Sequence, residues 1–367
     1  MPLKPLAGHE DARLRLARAL REDRLPQALL LIGPAGVGKQ RLALWLAQLV
    51  QCDNPGDEPC GECGPCRKVL ALAHPDVHWF VPIPRPKAGE PGKQMEEAAE
   101  SLAEVMAERR TTGSWTAPQG LELHSVASVR LLQREASMSA VEGRRRIFIV
   151  GDAERLVPQE SSMEAANALL KLLEEPPPGL LLILTAEDGR RLLPTIRSRT
   201  APLRLAPLPE ATVRQYLERE APVTRATIER RVAESRGSIG MAMALDESSG
   251  DARKQAEAFL VAALGDAGAR WRRVLGQAGF AARGSFTDML DALQDTLLDA
   301  IRKGARRAPL AGWSTEELLE AVRLVQEARD AAQGNVNPQL IMAELAGALS
   351  SGTASAGERA FGSGSRA

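Results

Sequence analysis

Apolar residues are distributed along this chain in two regimes. In the first, short unbroken apolar runs alternate with stretches of helical period. Ala28-Leu29-Leu30-Leu31-Ile32 runs into Gly33-Pro34 and is followed by Arg41 to Val50, where apolar positions recur every three or four residues. Ile147-Phe148-Ile149-Val150 follows the triple Arg144-Arg145-Arg146, and Leu180-Leu181-Leu182-Ile183-Leu184 follows a proline-rich turn. Continuous apolar strands separated by helices are the pattern of a parallel sheet covered on both faces, so this part is predicted to be an α/β core spanning 1–206. Within it, 82–120 reads as an excursion: Pro82 to Lys93 as a loop, Met95 to Arg110 as a helix with no evident chemistry.

The second regime has only the helical period. Small helices closed by Gly237-Ser238 are predicted over a lid at 207–248, and an all-α domain over 251–349. There Met289, Leu290, Leu293, Leu297 and Ile301 form one apolar stripe. Ser314 with Glu317 makes a capping box, and Asn337 with Pro338 marks another helix start. The tail at 350–367, rich in Gly, Ser and Ala, is expected to be disordered.

A length of 367 residues fits two or three domains, and the 44% apolar content supplies their cores. Lys plus Arg equals Asp plus Glu at 47 each, so no whole-molecule field attracts nucleic acid and any such contact must be local. Charges throughout the first thirty residues speak against a signal peptide, and no apolar run is long enough to cross a membrane. A cytoplasmic location is expected.

The four cysteines all lie between Cys52 and Cys66, too local for a disulfide framework in a chain of this size. Cys52, Cys60, Cys63 and Cys66 offer four soft thiolates, and glycines at 56, 61 and 64 permit a tight wrap. A closed, structural zinc site is the reading, with an iron–sulfur cluster left open by ligand type alone.

Gly33-Pro34-Ala35-Gly36-Val37-Gly38-Lys39-Gln40 matches a phosphate-binding loop in the strand-to-helix context it requires. The glycines let backbone amides turn inward on an anion, and Lys39 is placed for the terminal phosphates, so ATP or ADP is a candidate ligand. Gln40, however, stands where a Ser or Thr hydroxyl would ligate magnesium. The strand at 147–150 runs into Gly151, which has no ligand to offer, and only then Asp152. Two such losses predict a pocket that does not hydrolyse nucleotide.

Further strings carry a family resemblance. Leu25-Pro26-Gln27-Ala28-Leu29-Leu30, the cysteine insert after the loop's helix, His74-Pro75-Asp76, Asn167-Ala168-Leu169-Leu170-Lys171-Leu172-Leu173-Glu174-Glu175-Pro176-Pro177 and Leu193-Pro194-Thr195-Ile196-Arg197-Ser198-Arg199 together resemble the AAA+ clamp-loader family of bacterial DNA polymerase III, over roughly residues 5–345. The resemblance implies that Ser198-Arg199-Thr200 corresponds to the family's Ser-Arg-Cys motif, with Arg199 as an arginine finger acting on a neighbouring subunit's ATP. Ser198 then orients the loop. Thr185 falls where the family places a γ-phosphate sensor, a strand-end cap being the plainer alternative. Gly240 falls where motor subunits carry a second sensor arginine.

A kept finger beside a broken pocket resembles the family's delta-prime branch rather than its tau/gamma motor branch, which remains the alternative. The partners so implied are the motor and delta subunits of a hetero-pentamer joined through a helical collar, the sliding clamp, and primed DNA through the complex. A nucleic-acid module using Arg144 to Arg146, or Arg270, Arg272 and Arg273, is a third reading.

Overall fold

The computed structural model describes residues 3, 6–87, 89–113, 122–156, 163–221, 223–245, 247–277, 285–305, 308–333 and 336–361. It divides into two compact units, Met1–Ala244 and Leu245–Ala367.

The first unit opens with α1 (Glu10–Arg21), β1 (Ala28–Ile32), α2 (Lys39–Gln51), α3 (Gly64–Leu70) and β2 (Val77–Phe80). It continues through α4 (Pro91–Thr112), α5 (Val126–Ala136), β3 (Arg146–Val150), α6 (Glu164–Glu174), β4 (Leu180–Ala186), α7 (Pro194–Arg197) and β5 (Ala201–Arg204). The strands form one parallel sheet in the order β2-β3-β4-β1-β5. The three runs read from sequence are β1, β3 and β4, side by side at its centre. Every residue of β3 and β4 is buried, as strands covered on both faces must be.

Neither edge strand shows a strand pattern in the sequence. β2 (Val-His-Trp-Phe) and β5 (Ala-Pro-Leu-Arg) have four residues each and no unbroken apolar run, because each is paired on one side only. Pro202 is tolerated in β5 because an edge strand need not donate on its open side.

α8 (Glu210–Glu220), α9 (Arg225–Ser235) and α10 (Ile239–Ala244) close the unit over a small core of Leu208, Val213, Leu217, Ile228, Val232 and Ala242. The second unit holds α11 (Glu247–Ala263), α12 (Ala267–Leu275), α13 (Ser285–Lys303), α14 (Thr315–Gln333) and α15 (Pro338–Phe361). Met289, Leu290, Leu293 and Leu297 lie in its core, with Ile301 packed against it. The capping box is formed reciprocally: Ser314 Oγ accepts from Glu317 N at 3.2 Å, and Glu317 Oε2 accepts from Ser314 N at 2.7 Å.

The tail departs from expectation. The backbone of α15 runs on as helix to Phe361, since no proline interrupts it and Ala354, Ala356 and Ala360 favour helix. Residues 362–367 lie outside the described ones, as do 88 and 114–121 of the excursion. Among the described residues no helix is long and apolar enough to cross a membrane.

Candidate nucleotide pocket and cysteine cluster

The phosphate loop lies between β1 and α2, with Gly36 at φ 66° and Gly38 at φ 108°. Those left-handed twists let consecutive amides face one concavity, and only glycine adopts them without strain. Lys39 is buried, and its Nζ donates to the carbonyls of Gly33 and Pro34, each at 2.8 Å. Burial pulls its pKa below the ordinary lysine value, partly offset by Glu187 and Asp152.

Gln40 follows, its side chain turned to the end of β3. Its Nε2 donates to Asp152 Oδ2 at 3.1 Å, and its Oε1 accepts from Arg109 Nη1 at 3.4 Å. The amide orientation is fixed by its partners, since a carboxylate only accepts and a guanidinium only donates. Arg109 comes from α4, is 5% exposed, and lies over the Trp79 ring at 4.6 Å from its centroid. Burial lowers its pKa to about 10, so it is charged at neutral pH, with Asp152 supporting the charge.

The end of β3 is pinned from three sides. His124 Nε2 donates to Gly151 O at 2.7 Å, burial holding that imidazole neutral with a pKa of about 4. Asp152 has φ 51°, and its amide donates to Thr185 Oγ1 at 3.0 Å. Thr185 thus has the contact expected of a strand-end cap. The Asp152 carboxyl is pushed up by burial and drawn back down chiefly by Lys39.

The lid lies directly on the loop. Ser238 Oγ donates to Ala35 O at 2.9 Å, and Gly240 N donates to Gly36 O at 2.9 Å. A Cβ at Gly240 would come within 2.7 Å of Gly36 Cα, so residue 240 has no room for a side chain of any kind.

Lys39, Gln40, Asp152 and Thr185 are therefore brought together, with Gly33 to Gly38 as the floor. Arg199 and Ser198 are not. They follow α7 and precede β5, whose first residue pairs with Leu29 at the start of β1. The phosphate loop leaves the other end of β1, roughly 13 Å from Leu29 at ~3.3 Å per residue. Arg199 is half-exposed beside a surface cleft of about 410 Å³, lined by Gln27, Leu172, Pro176 and Ser198 among others. It pairs with Glu174 at 2.9 Å and donates to Thr195 O at 3.1 Å, while Ser198 Oγ donates to the same carbonyl at 3.1 Å.

Arg109 is the site residue that sequence reasoning missed. Its signal was present: Ala98, Leu102, Val105 and Arg109 are spaced along one stripe of α4, and a charge on a buried stripe demands a partner.

Cys52 caps the C-terminus of α2 and Cys63 the N-terminus of α3. The four Sγ atoms lie within 4.8 Å of one another, with Cys60 and Cys66 3.9 Å apart. Tetrahedral sulfurs at ~2.3 Å from a zinc ion stand roughly 3.8 Å apart, so the spacing fits one metal ion. Amides point at the sulfurs: Cys60 N to Cys52, Cys63 N to Cys60 and Cys66 N to Cys63, each at 3.4 Å. The Cys63 and Glu62 amides lower the Cys60 pKa to about 6, while burial raises Cys66 and Cys52. All four are free of disulfides. The loop is tied back by Trp45 Nε1 to Glu58 at 2.7 Å and by Arg21 to Asp57 at 2.6 Å.

A phosphate loop after the β1 strand of a parallel sheet in which β4 separates β1 from β3, followed by a small helical lid, defines an AAA+ P-loop protein. A family profile described as DNA polymerase III, delta subunit, matches residues 8–209, and the chain belongs to that family.

It is similar to the DNA polymerase III subunit delta' of Bacillus subtilis, 30% identical over 206 residues, covering 56% of this chain and 50% of that protein. The Pseudomonas aeruginosa protein of the same name is 35% identical over 198 residues, covering 53% and 48%. A Mycobacterium tuberculosis gamma/tau subunit is 31% identical over 217 residues, covering 58% and 30%. The chain thus spans about half the length of the delta' relatives it matches. A crystal structure of a gamma-subunit-related protein from Thermotoga maritima aligns over 94% of this chain and 99% of that one, with TM-score 0.43 and 16% identity.

Proposed function

We propose that this chain is a delta-prime-type subunit of the bacterial replicative clamp loader, lending Arg199 to the ATP site of a neighbouring motor subunit without hydrolysing nucleotide itself. The observation that carries this reading is the separation within one sheet. The guanidinium of Arg199 lies at the opposite end of β1 from its own phosphate loop and on the surface, which supports a role toward the phosphate of another chain. A permanently charged, forked group suits the equatorial oxygens of a transferring phosphoryl, and such fingers are worth about 10³ to 10⁵ in rate.

The pocket supports the other half of the reading. Gln40 brings an amide where a hydroxyl is needed, and that amide is bound to Asp152 and Arg109. The partners follow from this role: tau/gamma motor subunits and delta in a hetero-pentamer, the sliding clamp, and primed DNA reached through the assembly, all in the cytoplasm. The cysteine cluster is proposed to hold one structural zinc ion through Cys52, Cys60, Cys63 and Cys66, supported by the sulfur spacing.

Reconstitution with motor and delta subunits tests the role. Arg199→Ala should depress DNA-stimulated ATP turnover of the complex at least tenfold and leave assembly intact; unchanged turnover removes the assignment. The match to a gamma/tau subunit favours a second reading as a motor. Steady-state turnover by the isolated chain, abolished in Lys39→Ala, would establish it.

A further inference from the structure

The metal corner of the pocket does not suit magnesium. Its usual hydroxyl is replaced by Gln40, whose Oε1 already accepts from Arg109. Residue 151 offers no oxygen side chain, and Asp152 holds the far end of the same amide. What the corner does contain is a buried positive charge, delivered by a helix that lies outside the core α/β pattern.

We propose that Arg109 is the resident cation of this pocket, so that the chain binds the phosphates of a nucleoside di- or triphosphate without a divalent metal. This deepens the reading of a pocket that holds nucleotide and does not turn it over. Three observations and one general property of the two cations converge. The guanidinium is bonded to the residue directly after Lys39, on the side chain that in a metal-dependent loop faces the cation. It is held by stacking on Trp79 and by burial. Gln40 relays between it and Asp152, and the charge of Lys39, whose Nζ is bonded to the loop's own carbonyls, acts on that carboxylate through space. Finally, a planar, weakly hydrated guanidinium bonds phosphate oxygens directly, whereas magnesium surrenders its water reluctantly and needs near-octahedral oxygens.

Fluorescent mant-ADP and mant-ATP, titrated into the full chain with EDTA or with excess magnesium chloride, test the proposal. The wild-type dissociation constants should agree within about twofold between the two conditions, and Arg109→Met should weaken both by about tenfold or more. Arg109→Lys, which keeps the charge and loses the fork, should lie between. The wild-type comparison and Arg109→Lys decide the matter if Arg109→Met fails to fold, which thermal melting reports. Tightening of about tenfold by magnesium, unchanged affinity in Arg109→Met, or the absence of saturable binding overturns the proposal. None of those results alters the expected effect of Arg199→Ala on the assembled complex, so the two readings fail separately.

Discussion

A Cβ on residue 151 would stand 2.8 Å from Nε2 of Gln40 and 2.9 Å from its Oε1, so the glycine at the end of β3 and the glutamine at the start of α2 fit one another. The two departures from a metal-dependent phosphate pocket are a matched pair. The amide fills the space that a first acidic side chain would occupy, and glycine is what leaves that space open.

The pair should behave as a unit in unfolding experiments. Gly151→Ala is expected to cost about 1–3 kcal/mol, because the amide it meets is held by Asp152 and Arg109. In Gln40→Ala the same change should cost much less, giving a coupling of at least about 0.5 kcal/mol in a double-mutant cycle from urea denaturation. Strict additivity would show that the contact carries no energy.

Metal content gives a second prediction. Purified protein should carry one zinc ion per chain, and Cys60→Ser should release it. Structural zinc contributes on the order of 10 kcal/mol in small finger peptides. Here the loop is attached to a large core, so its loss should appear as cleavage within residues 53–66 by limited proteolysis while the sheet stays folded. Metal-free protein with four rapidly titrating thiols would rule the site out.

Asp76 provides a pH-dependent prediction. Burial raises the pKa of its carboxyl, but the amides of Val141, Glu142 and Gly143, at 2.7, 2.8 and 2.6 Å, outweigh that and leave it below the ordinary aspartate value of 3.8. A depressed folded-state pKa stabilises the protein above the unfolded value, and the contribution is lost as pH falls through the folded one. Asp76→Asn should therefore cost about 1.5–3 kcal/mol at pH 7 and progressively less in acid. An equal loss at pH 7 and pH 3 would contradict this.

Gly240→Ala tests the lid contact. The atoms that a new Cβ would meet are Gly36 Cα at 2.7 Å and Gly36 O at 2.9 Å, both backbone and unable to rotate away. A cost of about 1–3 kcal/mol is expected. Hydrogen exchange should accelerate in Ile239–Ala244 and at the phosphate loop, and unchanged exchange there would refute the contact.

The centre of the fold was legible because its chemistry is repetitive. β1, β3 and β4 lie at the centre of the sheet and, apart from Arg146 and Thr185, are apolar runs, and the glycines of the phosphate loop are required by its backbone. The edges were not, since a strand paired on one side tolerates His78 or Pro202 and resembles a loop. The cysteine cluster could be placed from spacing alone because its four residues are local. Arg109 was legible only as a charge on the apolar stripe of α4, because its partners Gln40 and Asp152 are 69 and 43 positions distant and no spacing rule names them. The γ-phosphate assignment of Thr185 rested on position along β4, whereas the hydroxyl's contact with the Asp152 amide depends on a left-handed turn that no sequence pattern announces.

The glycine-to-glycine contact at residues 36 and 240 has a mechanical consequence. In a pocket where the ligand is what bridges the sheet and the small helices above it, emptying and filling the pocket changes the angle between them. Here polypeptide already makes that bridge through Gly240 N and Ser238 Oγ. Two hydrogen bonds between the small helices and the phosphate loop therefore join the layers without any ligand, so the angle between them depends less on whether the cavity is filled.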